Sequence, residues 1–140
     1  MYLRVYLLLL GAAACGTRSR GSEALSPQQA VLRSTDSAAG TVAEQVLTGV
    51  LRRLAVSEEA HYADFSRYTN ALDRLSFDVP AQVRLTLASP DPQSWFAVAR
   101  HADWPGRSCV IWVGPIPDRL LPRTENLGHR GVEGAIVCDD

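Results

Sequence analysis

Glu58, Glu59, His61 and Asp64 lie close together, and carboxylates beside an imidazole are groups that hold metals or move protons. Glu58 and His61 are three positions apart, so on a helix they share a face, as the ligand pairs of di-iron bundles do. Those sites repeat the Glu-x-x-His unit on several helices, whereas here it occurs once. The cluster therefore reads as the solvated end of a helix rather than as a metal centre. His101 with Asp103, and His129 farther on, form a second set that could exchange protons. No serine stands in a Gly-x-Ser-x-Gly elbow and there is no glycine-rich phosphate loop, so nothing marks a nucleophile or a nucleotide site. Trp95, Trp104 and Trp112 could line a cleft for a glycan or small molecule. The reading that follows is a non-catalytic protein without metal or cofactor. A small enzyme using His101, Asp103 or Glu58, or a binding module using the tryptophans, stands as the alternative.

The elements that would position these groups can be read from periodicity. Val42, Val46, Val50 and Leu54 recur every fourth residue, with Leu47 and Leu51 beside them, which predicts an amphipathic helix ending near Tyr62. Ser26-Pro27-Gln28-Gln29 has the composition of a helix start, and Gly40 is expected to break or loosen the segment between. Residues 63–80 read as a loop with a short turn over Ala71–Leu75. The period then becomes two: Val83, Leu85 and Leu87 alternate with polar neighbours, predicting a half-buried strand. Pro90-Asp91-Pro92 marks a turn, Trp95–His101 a second strand, Asp103-Trp104-Pro105-Gly106 another turn and Cys109–Val113 a third strand buried on both faces. Ala135–Cys138 is expected to form a short last strand. The fold class is α+β, a long N-terminal helix packed on an antiparallel sheet of three or four strands.

Between the last two strands, residues 114–131 carry three prolines and three glycines without periodicity. This is the best candidate for a partner-binding loop. Pro115 and Pro117 restrict it, and Leu120, Leu121 and Leu127 either cover the sheet or meet a partner. Every basic residue is Arg, and 14 of these against 15 acidic residues leave a net charge of −1. No basic groove for nucleic acid is implied.

Leu7–Leu10 followed by Gly11-Ala12-Ala13-Ala14-Cys15 resembles the lipobox signal peptide of bacterial lipoproteins, with Ala12 where leucine is usual. The apolar run is too short to cross a bilayer, which takes about 20 residues. The resemblance implies that residues 1–14 are a cleaved signal peptide and that Cys15 carries the lipid, palmitate included. Residues 15–40 would be anchor and tether, partly helical, and 41–140 the globular domain. The chain would then sit at the bacterial cell envelope with the membrane as a partner through Cys15. Gly16 in place of a sorting aspartate favours the outer membrane, on its periplasmic or surface side. With Cys15 lipidated, Cys109 and Cys138 remain, and in an oxidising compartment they are expected to form a disulfide contributing roughly 3–4 kcal/mol.

The globular part resembles type IV pilins and pseudopilins. Leu54-Ala55-Val56-Ser57-Glu58-Glu59-Ala60-His61-Tyr62-Ala63-Asp64 is similar to the end of the pilin helix, and Tyr68-Thr69-Asn70-Ala71-Leu72 to the loop after it. Trp95–His101 and Gly106–Gly114 look like the central hairpin, and Cys138 matches the pilin habit of closing a C-terminal loop by disulfide. Glycine followed by phenylalanine, the pilin processing site, does not occur around Gly11 or Gly16. The resemblance implies a domain that works through protein–protein contacts with envelope, pilus or secretion proteins.

Overall fold

Leucine and valine at spacings of three and four give one helix a buried stripe, and alternation over residues 83–113 gives the sheet that receives it. The computed structural model describes residues 27–140. The expected signal peptide, the expected lipidation site Cys15 and the segment up to Ser26 lie outside the described residues.

Helix α1 spans Pro27–Phe65 and runs unbroken through Gly40. The expected break is absent for a packing reason. A Cβ at Gly40 would stand 3.2 Å from Trp104 Nε1, so the missing side chain makes room for the indole. The buried stripe is Ala43, Leu47, Val50, Leu51 and Leu54. It is rotated from the expected one: Val42 is 59% exposed and Val46 only partly buried. The helix stops just past Tyr62, where Ser66 takes a φ of 55° and donates its N–H to Tyr62 O at 2.7 Å.

Four strands follow: β1 Val83–Asp91, β2 Ser94–His101, β3 Cys109–Val113 and β4 Val137–Cys138. They pair in that order, antiparallel throughout. The fold is thus α+β, a helix on a four-stranded antiparallel sheet. β1 continues into Pro90-Asp91, where a turn was expected. An edge strand tolerates the proline, and the pairing slips between Ala88 and Asp91. The reversal falls at Pro92-Gln93, closed by the Asp91 carboxylate, which accepts from Gln93 N at 2.8 Å and Ser94 Oγ at 2.7 Å.

The register sorts side chains onto two faces. Val83, Trp95, Ala97, Ala99, Cys109 and Ile111 join the helix stripe in one core, where the two alanines of the central strand leave space for leucines. Arg84, Val98, Arg100, Val110 and Trp112 point to the other face. Val110 is nonetheless fully buried, because residues 114–136 fold over that side. Trp112 Nε1 donates to Arg130 O at 3.1 Å, and Gly134 N to Trp112 O at 2.8 Å. The sheet therefore lies between a helix and a loop.

Gly114 opens this loop with a φ of +86°, and a Cβ there would come within 2.1 Å of Gln93 O. Gly114→Ala is expected to destabilise the domain by roughly 2–3 kcal/mol, through backbone strain and collision with a main-chain atom. Urea titration checks this; an unchanged midpoint would mean that the hairpin end yields freely.

Candidate functional site

The segment singled out in the sequence is held by a residue that sequence reasoning passed over. Asp139 is 1% exposed at the end of β4. Its Oδ2 accepts from Ser108 N at 2.9 Å and Asn126 N at 3.1 Å, and its Oδ1 accepts from Leu127 N at 2.7 Å. The Ser108 hydroxyl lies 3.4 Å from Oδ2 and accepts from Glu125 N at 2.8 Å. Burial alone would raise this carboxyl, but the N–H groups of Leu127, Asn126 and Ser108 and the Thr124 hydroxyl outweigh it and bring it down to about 2. One carboxylate thus ties the middle of the loop to the start of β3 and the end of β4.

The disulfide lies beside this clamp. Cys109 and Cys138 are direct partners in the β3–β4 pairing, bonded at 2.03 Å with Cα atoms 4.0 Å apart. Their sulfurs face the helix, with Thr48 Oγ1 4.0 Å from Cys138 Sγ. The pairing expected once Cys15 was set aside is present.

Within the loop, Ile116, Pro122 and Thr124 are buried and Leu121 is half-buried. Pro115 and Pro117 are exposed, Leu120 is 41% exposed, Leu127 47% and Val132 71%. On this one segment some apolar groups cover the sheet and others stay at the surface.

The helix-end cluster departs from the solvated end that was expected. Glu58 is 0% exposed and His61 8%, because both continue the Leu47–Leu51–Leu54 stripe. Glu58 Oε2 accepts from Thr69 N at 3.2 Å, whereas Glu58 Oε1, His61 Nε2 and Trp95 Nε1 are buried with no hydrogen-bond partner among the described residues. Glu59 and Asp64 face outward, with Glu59 accepting from the Tyr68 hydroxyl at 2.9 Å. Burial, first, pushes the Glu58 carboxyl up to about 7, with the Glu59 charge adding and the Thr69 N–H opposing. The clefts beside Thr69 and at the sheet edge are not lined by Glu58, so the carboxyl reaches no substrate through them.

Its consequence is for stability. A carboxyl raised from 4.5 to about 7 contributes stability that is complete below about pH 4.5 and is lost as pH rises through 7. The displacement corresponds to roughly 3 kcal/mol. Glu58→Gln is expected to keep the Thr69 bond, flatten this limb of the stability–pH curve and raise the denaturation midpoint at pH 8. A wild-type curve level between pH 5 and 8 would contradict it.

The remaining candidates are dispersed. His101 Nδ1 accepts from Asp103 N at 3.1 Å and lies 3.8 Å from its Oδ2, a contact within one turn. His129 is an exposed loop residue whose backbone pairs with Thr124. Trp95 faces the helix and Trp112 the loop, so the indoles do not line one cleft. Among the described residues, no group of three or more His, Cys, Asp or Glu side chains forms a cluster able to hold a metal ion.

Compared with known proteins, the chain matches no family model and no curated protein sequence.

Proposed function

We propose that the protein is an exported, lipid-anchored, pilin-like domain that acts through protein–protein contacts at the bacterial envelope, with residues 114–131 as its partner surface. The observation that carries this reading is the clamped loop. Leu120 and Leu127 stay 41% and 47% exposed on a segment fastened by Asp139 and closed by the Cys109–Cys138 bond. A loop already held in one conformation loses little entropy on binding, so exposed leucines there serve a partner at low cost. A disulfide suits an oxidising compartment and so supports export. A helix on an antiparallel sheet with a disulfide-closed C-terminal loop is also what likeness to pilins implies. Lipid on Cys15 would leave the domain tethered with this loop free to meet envelope, pilus or secretion proteins.

The test is site-specific photo-crosslinking in cells, with the reactive side chain at Leu127 or, as control, at Val56. Val56 is 71% exposed on the helix. A discrete adduct from position 127, absent from 56 and lost on Leu120→Ser, is expected. No adduct, or the same adducts from both positions, would overturn the reading.

A further inference from the structure

A cleft of about 410 Å³ lies where the end of β2 meets the start of β1, with Glu125 of the 114–131 loop on its wall. It is lined by Arg84, Arg100, His101, Trp104, Arg107 and Glu125, among others. The β1–β2 register sets Arg84 directly opposite Arg100. Like charges at opposed positions share one face of the sheet and weaken the pairing, so the fold gains nothing from them. Arg107 comes from the β2–β3 turn, its guanidinium 5.5 Å from the centroid of the Trp104 ring. Stacking of this kind fixes the direction of a guanidinium while leaving its N–H groups free to donate.

A single carboxylate answers these arginines. Glu125 Oε2 accepts from Arg100 Nε at 2.6 Å, and among the described residues Arg84 and Arg107 have no ion pair. Glu125 is placed by the same clamp as the loop, since its N–H donates to Ser108 Oγ. His101 is buried at the cleft wall, held there by Asp103 N, which donates to its Nδ1 at 3.1 Å. The lining is therefore rich in donors and positive charge, with an indole beside them.

We infer that this cleft is a binding site for a small molecule or sugar bearing a carboxylate or phosphate group. Guanidinium forks match both oxyanions bidentately, and the volume lies in the range of small-ligand sites. Arg84 and Arg107 hold the oxyanion, Arg100 is shared between it and Glu125, and the Trp104 edge meets the ligand's apolar part.

The experiment is isothermal titration of the intact, oxidised protein with inorganic phosphate and, separately, citrate, at constant ionic strength set by sodium chloride. Saturable binding of at least one is expected, and which of them binds separates the phosphate from the carboxylate source. Arg84→Gln/Arg107→Gln is expected to weaken it at least tenfold without lowering the melting temperature in the absence of ligand. Glu125→Gln, which frees Arg100, is expected to tighten it several-fold. No saturable binding of either anion, or binding that neither variant alters, would overturn the assignment. Should the double variant fold poorly, the Glu125→Gln gain decides, because loss of structure does not increase affinity.

Discussion

Asp139→Ala is expected to cost about 3–4 kcal/mol, near the top of the range for a single substitution. It removes the acceptor for the N–H groups of Ser108, Asn126 and Leu127 together, at a position 1% exposed. Each buried donor left without a partner costs about 1–3 kcal/mol, less what the loop recovers by opening to water. Urea unfolding at pH 7 gives the loss, and amide exchange at Asn126 and Leu127 should accelerate more than exchange in β2. A cost below about 1 kcal/mol, with protection at those amides unchanged, would mean that the loop is held by its packing alone. Acid reads the same contact. A carboxyl lowered from 3.8 to about 2 contributes stability present above about pH 4 and lost as pH falls through 2. The Glu58 limb has the opposite sign, so the wild type should be most stable near pH 4–5. Asp139→Ala should remove the acid limb while leaving the neutral one.

Removal of the disulfide is the other large effect. Cys109→Ala/Cys138→Ala reopens a loop with a sequence separation of 29, for which the chain-entropy relation gives roughly 3–4 kcal/mol. The two cysteines are paired neighbours in β3 and β4, and β4 is only two residues long, so the bond supplies much of what holds that strand. Cys138 adjoins Asp139, and the two losses should therefore overlap. The combined triple variant is expected to fall short of the sum by 1 kcal/mol or more. Full additivity would show the clamp and the covalent bond acting on independent parts of the structure. Denaturation midpoints of the four proteins decide the matter.

Periodicity made the helix and the first three strands legible, since burial on one face leaves a direct mark on residue type. The rotation of the helix stripe was not legible. Val42 and Ala43 differ little as helix-face residues, and only the packed structure shows Ala43 covered and Val42 at the surface. Gly40 looked like a breaker because its partner Trp104 is distant in sequence. The Glu58 cluster looked solvated for a related reason. A carboxylate is expected outside, and only the return of Thr69 over the helix end shows it enclosed. The candidate loop was recognisable from its prolines and stray leucines, but Asp139 was not. A carboxylate that gathers backbone N–H groups leaves no spacing pattern, because its partners need no particular side chain. The two arginines opposed in β1 and β2 became visible once the register was fixed.

Intact mass of the protein from the membrane fraction, with and without reduction and alkylation, tests the tethered domain most directly. The expected result is a diacyl or triacyl adduct on Cys15, with Cys109 and Cys138 alkylated only after reduction. An unlipidated chain, or thiols at 109 and 138 that react without reduction, would contradict it.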